Sequence, residues 1–139
     1  MPGYERKEIY PVELVLAHVP AYDPAIHELS GKKRFKIKNR NKVDFDGDLI
    51  DMDSQRYQLF KKSCKCVKCD IEGQYFAKER FTSSLTFHFN LYAIDAEGVE
   101  VMLTKDHIIP KSLGGLDVLP NYQTMCAPCN SAKGNKIDV

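Results

Sequence analysis

Apolar and polar residues alternate most cleanly between Leu85 and Ile94. Leu85, Phe87, Phe89, Leu91 and Ala93 fall on one face, and Thr86, His88, Asn90 and Tyr92 on the other. A two-residue period is that of a strand with one buried face. Asp95-Ala-Glu-Gly98 then turns the chain, and Val99 to Thr104 returns with Val99, Val101 and Leu103 on one side. The pattern predicts a β-hairpin, with Gly98 at a position tolerant of positive φ. Its second strand delivers Asp106 and His107 at its end. Gln74 to Phe81 reads as a further strand. Gln55 to Lys62 reads as a short helix capped by Asp53 or Ser54, with Tyr57, Leu59 and Phe60 for apolar contacts and Lys61-Lys62 at its C-terminal end. A short helix from about Pro128 to Lys136 closes the chain.

The first fifty residues carry a weaker pattern. Val12 to Val19 (VELVLAHV) is apolar enough for a buried strand, after which Pro20 and Pro24 break the chain. Arg34 to Lys38 alternates as a half-exposed strand behind Gly31, and Asp46-Gly47 marks a turn. His18 and His27 have no chemical partner nearby in sequence and read as structural. Residues 1–52 are therefore taken as an N-terminal elaboration, and 53–139 as the domain that carries the chemistry.

Size and charge narrow the classes. A chain of 139 residues fits one compact domain with an extension. No apolar run approaches the ~20 residues that span a bilayer. No signal-peptide h-region follows Met1-Pro-Gly-Tyr-Glu-Arg-Lys-Glu8, so the reading is a cytoplasmic protein without a signal peptide. The formal charge of +1 is not that of a strongly basic nucleic-acid binder, so attraction to a polyanion must come from local patches. Seven of the eleven residues from Lys32 to Lys42 are Lys or Arg. This strip, with Phe35 and Ile37 as anchors, reads either as a solvated segment or as a track along a phosphate backbone. Asp44, Asp46, Asp48, Asp51 and Asp53 follow, without the Gly and Glu positions of an EF-hand, and read as structural.

Five cysteines stand at 64, 66, 69, 126 and 129. Two Cys-x-x-Cys pairs in a cytosolic chain argue for one tetrahedral Zn²⁺ held by Cys66, Cys69, Cys126 and Cys129, not for disulfides. Cys64 with Cys69 would be a wider alternative pair. Such a site staples distant parts of the chain and contributes on the order of 10 kcal/mol to folding. Four thiolates on one Zn²⁺ bring the formal charge from +1 to about −1, and a second divalent cation would bring it back.

The last third of the chain reads Asp106-His107-Ile-Ile-Pro110-Lys-Ser112-Leu-Gly114-Gly115, then Asn121-Tyr-Gln, then Cys126-x-x-Cys129-Asn130-x-x-Lys133-Gly134. With Cys66-x-x-Cys69 upstream, this composite resembles the HNH (ββα-metal) endonucleases. The resemblance is tight over roughly the last 35 residues, loose from 64 to 105, and absent before about residue 53. Asn130 stands where many members have His. The His-Asn-Asn form is known in the superfamily, and the site is similar to that of phage recombination endonuclease VII.

The resemblance implies an α+β fold, with a zinc-stapled ββα-metal core and an N-terminal β-containing elaboration. It implies metal-dependent hydrolysis of DNA to 5′-phosphate and 3′-hydroxyl ends, in a phage, mobile-element or defence setting. His107 would be the general base, since an imidazole exchanges protons near neutral pH. Asp106 and Asn130 would hold Mg²⁺ or Mn²⁺ through oxygen. Asn121 would bond backbone in the loop and keep the His107 ring in register, and Gly114-Gly115 would let that loop turn. Lys111, Lys133 and Lys136 are candidate DNA contacts. His88 and Asn90, on the polar face of the hairpin, either line a DNA groove or meet solvent. Two other readings stay open: a non-catalytic zinc module that binds DNA or protein, and a nuclease selective for branched or single-stranded DNA.

Overall fold

The computed structural model describes residues 3–24 and 41–137. The strand expected at 34–38, most of the basic strip, and His27 lie outside the described residues.

An antiparallel sheet of five strands forms the frame. Its strands in spatial order are β1 (Tyr4–Pro11), β4 (Tyr75–Phe81), β5 (His88–Ile94), β6 (Glu100–His107) and β7 (Tyr122–Cys126). A separate hairpin pairs β2 (Lys42–Phe45) with β3 (Asp48–Asp51). Its two-residue turn is Asp46-Gly47, with φ of 52° and 98°, the double positive φ that suits a hairpin's twist. Helices α1 (Val12–Leu16), α2 (Gln55–Lys62) and α3 (Ala127–Lys133) pack against these strands. The α+β class and the hairpin from β5 to β6 are as the sequence implies, with Leu91 opposite Leu103.

Helix α2 has the bounds expected of it. Ser54 Oγ accepts a hydrogen bond from Tyr57 N–H at 3.2 Å, so Ser54 is the cap, not Asp53. The expected strand at Val12 to Val19 is instead α1 and a following turn. Val15 and Val19, the fully buried members, are four residues apart, which puts them on one helical face, while Leu14 is exposed. One edge strand, β1, has no legible period because its middle is charged. Those charges are paired across the sheet: Arg6 Nε donates to Glu79 at 2.6 Å, and Arg80 Nε to Glu5 at 2.9 Å.

At Asn90 and Tyr92 the hairpin's polar face is buried, whereas His88 is half-buried and Thr86 exposed. Glu79 Oε1 accepts from Asn90 Nδ2 at 2.6 Å and from the Tyr92 hydroxyl at 2.7 Å, and both residues are buried. Asn90 therefore neither lines a DNA groove nor meets solvent, and Leu85 lies outside the strand, exposed. Lys78 is fully buried, with its ammonium 2.6 Å from Glu8, 2.7 Å from Asp48, and donating to Phe45 O at 2.7 Å. Asp44 and Asp46 likewise bond Gly47 N–H and the Tyr10 hydroxyl. The aspartate run is structural, as its spacing suggested.

One core joins both halves of the chain. Tyr10, Phe45, Phe60, Phe76, Phe89, Leu103 and Met125 belong to a single buried cluster, with Phe45 edge-on to Phe89 at 4.8 Å. The described residues before 51 thus complete the sheet and core on which the C-terminal residues stand. Among the described residues no helix is long and apolar enough to cross a membrane.

Candidate active site and metal centre

Strand β7 and helix α3 place two cysteines, Cys126 as the strand's last residue and Cys129 in the first helical turn. A knuckle at Cys66–Cys69 closes over them. It is shaped by the bonds from Asp70 N–H to Cys66 O and from Cys66 N–H to Ile71 O, with Asp70 at φ 66°. Two bonds dock it on β7: Val67 N–H to Thr124 O at 3.0 Å, and Thr124 Oγ1 to Ser63 O at 2.7 Å.

The sulfurs of Cys66, Cys69, Cys126 and Cys129 all lie within 4.8 Å of one another, with Cys69 and Cys126 at 3.7 Å. An ion with Zn–S bonds of about 2.3 Å in a tetrahedron holds its sulfurs about 3.8 Å apart. The donor set fits zinc. Burial pushes the Cys66 thiol up, but the backbone N–H groups of Cys126, Cys69 and Lys68 outweigh it and bring it to about 7. Burial raises Cys126 and Cys129, and the crowding of neighbouring sulfurs adds to the rise at Cys129. Four sulfurs so close compete for protons unless a cation takes their place. Cys64 stands apart: its thiol donates to Phe60 O at 3.1 Å and burial pushes it to about 11. The cluster therefore contains Cys66 and not Cys64.

The same strand pair presents the second group. Asp106 faces Gln123 and His107 faces Tyr122 across the β6–β7 register. Asp106 is buried, its Oδ2 accepting from Gln123 Nε2 at 2.9 Å and lying 3.2 Å from the Lys133 ammonium. His107 is partly exposed, its ring edge-on to Tyr122 at 4.9 Å, with Nε2 2.7 Å from Asp117 Oδ1.

Asn130 follows Cys129 on α3. Thr104 Oγ1 gives its only proton to Met125 O at 2.7 Å. It must therefore accept from Asn130, which donates through Nδ2 at 2.8 Å. This fixes the amide and leaves Asn130 Oδ1 as its free end. Asp106, His107, Lys111, Asn130 and Lys133 line one cleft of ≈ 290 Å³.

The loop from β6 to β7 is pinned by Asn121. Its Oδ1 accepts from Ile109 N–H at 2.9 Å, and its Nδ2 donates to Ile109 O at 3.0 Å and Leu116 O at 2.9 Å. The amide thus bonds backbone as the sequence implied, but it does not touch the His107 ring. Gly114 has φ of 91°, and a Cβ on Gly115 would sit 1.7 Å from Ile109 O, so both glycines are required by the turn.

The lysines divide. Lys111 and Lys136 are exposed, Lys111 with its ammonium 3.0 Å from Asp117 Oδ2. Lys133, expected to reach DNA, is buried and turned inward, donating to His107 O at 2.9 Å. It fixes charge beside Asp106.

Sequence reading passed over Asp117, Gln123 and Thr104. Only Asp117 left a signal, a lone carboxylate in the glycine loop ten residues after His107. Burial and the His107 bond act on it in opposite senses, and the bond, with that of Lys111, holds its carboxyl below the usual range.

Residues 96–139 match the family model of HNH endonucleases. That span holds β6, β7, α3, Asp106, His107, Asn121, Asn130 and the second cysteine pair, and leaves Cys66 and Cys69 upstream. No curated protein and no solved structure matches the chain. The match supports a nuclease, with nucleic acid as the class of substrate, for the part of the chain that carries the cleft.

Proposed function

We propose that this chain is a metal-dependent DNA endonuclease of the His-Asn-Asn type, hydrolysing phosphodiesters to 5′-phosphate and 3′-hydroxyl ends. The observation that carries the reading is the cleft at the end of β6, where Asp106, His107 and Asn130 converge. Asp106 and Asn130 would hold one divalent cation. Their free donors are oxygens, a carboxylate and an amide whose nitrogen is committed to Thr104, and this suits Mg²⁺ or Mn²⁺ better than softer ions. When bound, that ion supplies positive charge against the phosphate and the leaving 3′-oxygen.

The chain's own residues do the rest. His107 accepts a proton from the attacking water at its ring nitrogen, a step worth typically 10²–10⁴ in rate. The new oxygen–phosphorus bond forms as the bond to the 3′-oxygen breaks, so the phosphate stays on the 5′ side. Lys133 holds the His107 carbonyl and the Asp106 carboxylate in one arrangement. Asn121 and the two glycines hold the loop that follows. Lys111 and Lys136, exposed beside the cleft, are the phosphate contacts. Zn²⁺ on the four cysteines would fix α3, and Asn130 with it, against β6 and β7. Thiolate ligands keep best in a reducing compartment, so we assign the protein to the cytoplasm.

The test is relaxation of supercoiled plasmid by zinc-loaded protein in Mg²⁺ or Mn²⁺, beside His107→Ala. Wild type should nick and the variant should lose at least a hundredfold. Nicks that DNA ligase reseals directly carry the stated ends. Equal cleavage by both proteins would overturn the assignment of the base. DNA binding without cleavage by either would favour a non-catalytic zinc module.

A further inference from the structure

His107 does not stand alone at the mouth of the cleft. Its Nε2 is 2.7 Å from Asp117 Oδ1, a distance for a direct hydrogen bond. An ionised carboxylate only accepts, so the proton of a neutral His107 ring sits on Nε2. The lone pair is then on Nδ1. The geometry points to Asp117 as the positioning residue of the base: it selects the tautomer and fixes the ring so that Nδ1 is the atom that takes the proton from water. This inference rests on the nuclease reading for its consequence, but not for its geometry.

Asp117 is well placed for that task because the backbone on both sides of it is tied down. Asn121 Nδ2 holds Leu116 O at 2.9 Å, and Gln55 Nε2 holds the carbonyl of Asp117 itself at 3.0 Å. Gln55 is the first residue of α2 and is buried, so the anchor comes from a rigid element outside the loop. The second carboxylate oxygen is 3.0 Å from the Lys111 ammonium. That contact favours the charged form of the carboxylate. The Tyr122 ring packs edge-on against the imidazole at 4.9 Å. Three separate elements (α2, the glycine loop and β7) thus converge on one ring orientation. A 1 Å misplacement of a reacting group can cost about a hundredfold, which is the scale on which such positioning matters.

Three variants test this: Asp117→Ala, Asp117→Asn and Gln55→Ala. Asp117→Ala should lower kcat tenfold to a hundredfold with KM, zinc content and melting temperature near wild type. Asp117→Asn keeps an acceptor for the Nε2 proton and should recover most of that loss, although it breaks the Lys111 pair. Gln55→Ala should give a smaller fall in kcat of the same kind. The readout independent of cleavage is ¹⁵N NMR of the imidazole in zinc-loaded protein without added Mg²⁺ or Mn²⁺, read on the neutral ring, whose two nitrogens report the tautomer. Wild type and Asp117→Asn should show the Nε2–H form, and Asp117→Ala a mixture. An unchanged tautomer in Asp117→Ala, or cleavage at the wild-type rate, overturns the inference. If the tautomer shifts as stated while His107→Ala still cleaves, the nuclease assignment of His107 fails and the role of Asp117 as ring holder stands.

Discussion

Removing the metal from the four-cysteine cluster should unfold much of this protein. The four sulfurs already lie within 4.8 Å of one another, about 1 Å from the spacing of a tetrahedral zinc site, so little reorganisation is needed on binding. Structural zinc sites of this kind contribute about 10–16 kcal/mol at neutral pH, whereas a small domain is stable by only about 5–15 kcal/mol in total. The tie is also long-range, since it joins the knuckle at Cys66 and Cys69 to the end of β7 and to α3. Even a net loss of about 5 kcal/mol corresponds to a fall in Tm of roughly 15–20 °C, at about 3–4 °C per kcal/mol for this size. The assay is thermal unfolding of zinc-loaded protein with and without a chelator, together with metal analysis and thiol counting. One zinc per chain and a Tm drop above 15 °C are expected. Cys129→Ser should lose the metal, whereas Cys64→Ser should keep it, because Cys64 bonds Phe60 O and stands outside the cluster. A chelated protein with five reactive thiols and an unchanged Tm would refute the argument.

Gly115→Ala should leave Tm within a few degrees but reduce cleavage at least tenfold, because the added Cβ collides with Ile109 O at 1.7 Å and moves the loop that carries Asp117; plasmid nicking beside a thermal melt checks both halves. Lys78→Met should destabilise the fold by about 2–3 kcal/mol in urea unfolding, below the 3–5 kcal/mol of a fully buried broken pair because Glu8 and Asp48 both reach water. The hydrogen bond from Lys78, with that from Lys7, holds the Asp48 carboxyl below its ordinary range. A lowered folded value stabilises above the unfolded value of about 4 and loses that contribution as pH falls through the folded one. Asp48→Asn should therefore be less stable than wild type at pH 6, and the gap in Tm should close as pH falls from 4 to 2.

Local signals carried the parts of the fold that could be read in advance. Ser54 caps α2 through its own hydroxyl, Asp46-Gly47 is a two-residue turn, and the alternation of Phe87, Phe89, Leu91 and Ala93 needs only a neighbouring sheet face. The cysteine cluster was legible for a different reason, since tetrahedral coordination demands paired thiols at short spacing. What was missed depends on distant partners. Arg6, Lys7 and Glu8 look like a solvated run until Glu79, Asp48 and Lys78 are brought to them from forty or more residues further along the chain. Lys133 looks like a DNA contact until the β6 end arrives beneath it. Asp117 gave no period, cap or ligand spacing, and its relation to His107 exists only once Asn121 has folded the loop back.

The order of strands in the sheet also governs when the proposed site can assemble. Ile9 must wait for Ala77, and Leu103 for Cys126, before either finds its neighbour. His107 emerges from a ribosome well before Asn130 and Lys133, and the first cysteine pair long before the second. During synthesis His107, Asn130 and the two cysteine pairs therefore exist as separate pieces of an open chain. They come together only when β7 and α3 close against β6. On the nuclease reading proposed above, the chain cannot cut until that closure is made.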